Sequence, residues 1–99
     1  MTRYGYACGQ YEDQVLTQVD ILEMSGIELD GGIVTDMPWI DFLERLQSGD
    51  EVVVAAKSRL SLHKNARLAQ EEIAAREEML ELLGVRLFSL TQEGRVPEL

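Results

Sequence analysis

Cysteine and histidine each occur once in the 99-residue chain, as Cys8 and His63. A lone thiol excludes an internal disulfide framework, and one of each leaves no Cys/His cluster of the zinc type, so neither a metal nor a cofactor is expected. Long apolar runs are missing as well. Stretches such as Val52 to Ala56 are far too short to span a bilayer, and the N-terminus lacks the charged-then-apolar pattern of a secretory signal. A cytoplasmic protein with no membrane partner is the expectation. Basic residues are scarce: nine Lys and Arg against eighteen Asp and Glu give a net charge of −9 and a pI near 4.4. That balance repels DNA, RNA and anionic lipid surfaces. With no repeats, low-complexity segments or internal linkers, the chain has material for one compact domain and one core.

The acidity is uneven. No Asp or Glu lies between Val52 and Gln70, whereas Lys57, Arg59, Lys64 and Arg67 give that segment +4 and leave −13 for the rest. If a helix starts near Ser61, Lys64 and Arg67 sit in its early turns, where the helix dipole disfavours cations. An anion held by Lys57, Arg59, Lys64 and the first backbone N–H groups would relieve that conflict. The plainer reading is a helix that starts later, with these side chains in solvent or paired with carboxylates.

The stretch from Arg3 to Gln14 organises the remainder. Tyr4, Tyr6 and Cys8 alternate with Gly5 and Ala7 as a strand, Gly9 opens a polar loop, and an amphipathic helix runs from about Glu12 to Ser25 on Val15, Val19 and Leu22, stopped by Gly26. Ile27 to Leu29 reads as a weak second strand, and Asp30-Gly31-Gly32 with Ile33-Val34 beyond it as a possible small hairpin. Asp36-Met37-Pro38 starts a second helix, with Asp36 as N-cap and Pro38 in the first turn, whose apolar side is Trp39, Leu43 and Leu46. Glu51 to Ala56 is the clearest strand, and Val52-Val53-Val54 predicts cover on both faces. A further helix lies between Ser61 and Leu83, with Leu62, Ala66, Ala69, Ile73, Leu80 and Leu83 on one stripe broken by Arg76. Unbroken, it would be about 34 Å long. Val85 to Leu90 is a fourth strand. The alternation gives α/β: a three-layer sandwich with a mostly parallel four-stranded sheet, as one domain over residues 1–91 with a polar tail at 92–99.

Several segments resemble one family. Tyr6-Ala7-Cys8-Gly9-Gln10 followed by Gln14 is similar to the opening of the serine recombinase (resolvase/invertase) catalytic domain, Y-A-R-V-S-T, two polar residues, then Q. Asp36-Met37-Pro38 with Trp39 to Leu43 is similar to its D-R-P-x-L-x-x-L-L. Ser48 to Val54 is similar to its P-G-D-T-L-V-V, Lys57-Ser58-Arg59-Leu60 to its L-D-R-L, and Gly84 to Glu93 to its G-V-x-F-x-S-L-T-E. The resemblance implies a resolvase-like fold. In that family a serine attacks a DNA phosphodiester and several arginines hold the phosphate, so catalysis rests on positioning and electrostatics.

The departures fall on those groups. Gln10 stands at the serine's place, and Cys8, Met37 and Leu62 stand where arginines are expected; Arg59 remains, with Ser58 in place of its aspartate neighbour. The loop before Pro38 is several residues short, and the helical stretch after Arg59 several residues long. The long C-terminal helix and DNA-binding domain of the family are absent, so sequence-specific DNA binding is not expected. Cys8 reads more simply as an inert residue ending a central strand, Tyr11 has no base beside it, and His63 suits a helix start. Three functions follow. One is a non-catalytic resolvase-like module, from a phage or mobile element, that binds another protein or itself through the stripe Leu62, Ala66, Ala69, Ile73, Leu80 and Leu83. Another is an acidic mimic of nucleic acid built on Glu71, Glu72, Glu77, Glu78 and Glu81. The last is residual strand-exchange activity.

Overall fold

The structure, a computed structural model, describes residues 1–9, 11–35, 37–56, 60–61 and 65–91, with the side chain of Thr91 left aside. Strand β1 (Arg3–Tyr6) leads into helix α1 (Glu12–Met24), β2 (Ile33–Val34) into α2 (Trp39–Arg45), and β3 (Glu51–Ala56) into α3 (Ala66–Leu82), which returns to β4 (Arg86–Thr91). The four strands form one all-parallel sheet in the order β2-β1-β3-β4. Helix α1 covers one face, and α2 with α3 the other.

The alternation within β1 decides what each helix layer meets. Tyr4, Tyr6 and Cys8 point towards α2 and α3, where Tyr6, Trp39, Phe42, Leu46, Val52, Val54, Leu60, Leu80 and Val85 form the larger core. Gly5 and Ala7 point towards α1, so that helix lies close to the sheet on Leu22, Ala7 and Val53. A Cβ on Gly5 would come within 3.0 Å of Leu29 Cδ1 and 3.1 Å of Ile33 Cγ1. The Val52 to Val54 run is fully buried because β3 lies inside the sheet with a helix layer on each face.

At the edge of the sheet where the strands begin, Asp50 does the anchoring. Its buried carboxylate accepts the Thr2 N–H at 3.0 Å and the Gln47 N–H at 2.9 Å, while its backbone carbonyl accepts the Arg86 N–H. One residue, through its side chain and its backbone carbonyl, thus ties together the starts of β1, β3 and β4.

Two expectations need correction. The second strand is Ile33–Val34, paired in parallel with Gly5 and Tyr6, and no hairpin forms; Ile27 and Leu29 are loop residues packed beneath α1. The Asp30-Gly31-Gly32 turn itself docks along β1, with the Gly31 N–H donating to the Arg3 carbonyl and Asp30 accepting from the Arg3 N–H. Gly32 has φ +84, the left-handed region that glycine enters freely. Helix α2 begins at Trp39 with Pro38 at the N-cap, so Pro38 precedes the first turn; Asp36 lies outside the described residues. Helix α3 lies within the expected Ser61 to Leu83 stretch and takes the later start, at Ala66, because Asn65 caps it by accepting the Arg67 and Leu68 N–H groups; its 17 residues span about 26 Å. The tail at 92–99 lies outside the described residues.

Candidate functional site

Open parallel sheets present ligand sites beyond the carboxyl ends of their strands. Here that end of the sheet holds a cavity of about 200 Å³ lined by Tyr6, Cys8, Gly9, Val15, Met37, Pro38, Trp39 and Arg76. Strand β1 delivers Tyr6 and Cys8, the segment after β2 delivers Met37, α2 delivers Trp39, and α3 delivers Arg76.

Gln18 fixes the position of Cys8. This buried side chain of α1 accepts the Cys8 N–H at 3.2 Å and donates to the Cys8 carbonyl at 2.6 Å and the Gln14 carbonyl at 3.1 Å. A glutamine amide carries donor and acceptor together, so it pairs with both backbone groups of the residue leaving the strand.

The cavity wall is aromatic. Tyr6 stacks on Phe42 at 4.6 Å between ring centres, and Trp39 meets Tyr6 edge-on at 5.6 Å. Burial foremost, then the nearby Cys8 thiol, pushes the Tyr6 hydroxyl above its ordinary range, so it stays protonated and is no base at neutral pH. The Arg76 guanidinium lies 4.9 Å from the Trp39 ring centre, donates to the Leu60 carbonyl at 2.6 Å, and faces Glu72 at 3.4 Å. Its charge is thus shared among a ring face, a carbonyl and a carboxylate. Among the described lining residues the wall carries one cation, one thiol and no carboxylate or imidazole.

The expected site residues scatter. Cys8 and Met37 come together at the cavity. Gln10, Leu62, Lys57, Arg59 and Lys64 lie outside the described residues. Arg67 is exposed and pairs with Glu71, and Asn65 already occupies the α3 N–H groups of Arg67 and Leu68 that the anion-site reading would use. Of the partner stripe, Leu80 is 1% exposed and Ile73 packs against the same core, so these two face the protein's own sheet; Ala69 is half-buried, and Ala66 and Leu83 are exposed. Sequence reasoning missed Gln18 and the role of Arg76. The second left a signal, since a guanidinium interrupting an apolar stripe needs partners.

Among the described residues no His, Cys, Asp and Glu group is placed to hold a metal ion, and no helix is long and apolar enough to cross a membrane.

No protein-family model and no curated protein matches this chain. Solved structures do. The first open reading frame of transposon ISC1904 from Sulfolobus solfataricus P2 superposes with a TM-score of 0.68 at 21% identity, covering 99% of this chain and 73% of that one. A serine recombinase from Sulfolobus solfataricus gives 0.66 at 21% identity over 96% and 71% of the two chains. The C-terminal catalytic domain of ISC1926 TnpA, an IS607-like serine recombinase, gives 0.63 at 15% over 96% and 71%. The chain is therefore a three-layer α/β protein with an all-parallel sheet. More narrowly, it has the fold of a serine recombinase catalytic domain.

Proposed function

We propose that this chain is a resolvase-like module without recombinase chemistry, which acts by binding another protein in the setting of DNA recombination or mobile elements, inside the cytoplasm. The observation that carries this reading is the lining of the cavity where the strands end. Aromatic rings, Cys8 and Met37 occupy it, the one described cation is Arg76, already engaged by Glu72, and Gln10 stands in sequence where the family has its nucleophile. A phosphoryl transfer needs unshared positive charge around the phosphate, and loss of one such arginine costs roughly 10³-fold or more.

The test is a supercoiled-plasmid reaction quenched with denaturant and probed for covalent protein–DNA species. None is expected from the wild-type chain, nor from Gln10→Ser, because restoring a hydroxyl does not restore the guanidinium groups. A trapped adduct from either would overturn the proposal. The acidic-mimic alternative presents less charge than its five glutamates suggest, since Glu71 and Glu72 are paired with Arg67 and Arg76.

A further inference from the structure

An apolar groove runs between α2 and α3 on the side away from the sheet. It is lined by Ile40 and Leu43 of α2, by Met79 and Leu82 of α3, and by Leu83, with Glu44 as its polar lining residue, and offers about 620 Å³ of space open to solvent. Leu82 is 80% exposed and Ile40 67%, so these side chains do no work in the core. Each wall follows helical spacing: Ile40, Leu43 and Glu44 on α2, and Met79 and Leu82 on α3 with Leu83 at its C-cap. These positions are a second edge of α3, distinct from Ile73 and Leu80, which face the sheet.

Charge selects among occupants. Asp41 and Glu78, each next in sequence to a groove residue, are exposed, as is Glu44 itself; against these three carboxylates stands one cation of α2, the exposed Arg45 that follows Glu44. A second copy docked groove to groove would set these carboxylates against their own kind. A basic partner would neutralise them. An apolar cavity of about 150 Å³ holds one benzene-sized group, so this groove has room for three or four side chains, the number one face of an amphipathic helix supplies over two turns.

We infer that the groove between α2 and α3 is the docking site for an amphipathic helix with basic flanks on a partner protein. The helix lays leucine-sized side chains between Ile40, Met79 and Leu82, and its lysines or arginines meet Asp41, Glu44 and Glu78. The inference rests on the non-catalytic, protein-binding reading above and gives that reading a surface.

The probe is a labelled synthetic helix of leucine and lysine at amphipathic spacing, titrated with the full chain by fluorescence anisotropy. Binding is expected, weakened at least about tenfold by Ile40→Gln with Leu82→Gln and several-fold by Glu44→Gln. Phe88→Gln, which alters an exposed ring on β4, leaves it unchanged. Absent binding, equal loss with Phe88→Gln, or equal binding of a glutamine/lysine peptide without leucines would overturn the inference. So would a dimer in sedimentation equilibrium that Leu82→Gln dissociates, because a second copy would then fill the groove. A covalent DNA adduct would sink the non-catalytic reading and leave the anisotropy result standing; absent binding without any adduct would sink the groove alone.

Discussion

The two faces of the sheet are built on different principles. Towards α2 and α3 the strands send Tyr4, Tyr6, Val52 and Val54, and the Trp39 and Phe42 rings of α2 close over them. Towards α1 they send Gly5, Ala7 and Val53, and the helix comes down onto small residues. The thick face leaves room for a cavity at the strand ends and for a groove between its two helices. The thin face opens only at its margin, in a cavity of about 600 Å³ between α1 and the β2 edge lined by Val15, Val19 and Ile33. One strand of alternating large and small residues makes both.

Truncating the thick face should do the most damage. Phe42→Ala removes a fully buried ring that contacts Tyr4, Tyr6 and Trp39, and is expected to lower unfolding free energy by about 3–5 kcal/mol in a urea titration. A cost under about 1 kcal/mol would mean that the aromatic layer is not the main core. Asp50→Ala acts on both faces at once, at the edge where the strands begin. It strands two backbone N–H donors, and a loss of about 2–4 kcal/mol is expected. Asp50→Asn, which keeps an acceptor, should lose less.

The thin face is sharpened by adding atoms. Gly5→Val forces a branched side chain against Leu29, Ile33 and Leu22 and should cost about 1–3 kcal/mol, whereas a similar gain of volume at exposed Ala66 should stay within about 0.5 kcal/mol. Alkaline pH probes the thick face through Tyr6. An unfolded tyrosine ionises near pH 10, but burial keeps Tyr6 neutral beyond that, so the folded state retains a proton that the unfolded state gives up. The stability this contributes is present below about pH 10 and is lost as pH rises further. Tyr6→Phe should flatten that alkaline decline in denaturant midpoints measured across pH.

The smallest effect belongs to the groove. Leu82→Gln should change stability by no more than about 0.5 kcal/mol, because the side chain is already in water. A larger loss would show that Leu82 packs in the free protein and would remove the groove.

Local pattern carried a good part of this molecule. Tyr-Gly-Tyr-Ala in β1, the Val52 to Val54 run and the spacing of Val15, Val19 and Leu22 each settle a strand or a helix and the side it buries, since period-two and period-3.6 repeats are readable without neighbours. The parallel sheet follows from the alternation of strands and helices, and the likeness to serine recombinase domains was carried by short motifs such as Tyr6-Ala7, Asp36-Met37-Pro38 and Ser48 to Val54. Other features depended on residues far apart in the chain. Ile27 to Leu29 and Ile33–Val34 both offered apolar side chains, and pairing with Gly5 and Tyr6 chose the second. The α3 stripe was real, but which of its residues met the sheet depended on how a short four-stranded sheet sits beneath a 17-residue helix. Arg76 meets Leu60 and Trp39 only once two helices have packed.

By itself, then, the sequence determined the α/β alternation, the bulky and bare sides of β1 and a strongly acidic surface, because these are properties of neighbouring residues and of total charge. Tertiary structure alone decided that Gln18 would clasp Cys8, that Arg76 would be shared by Trp39, Leu60 and Glu72, and that Ile40, Met79 and Leu82 would meet in one groove. Each of those requires two or more elements to bring distant residues within a few ångströms, a distance no spacing along the chain encodes.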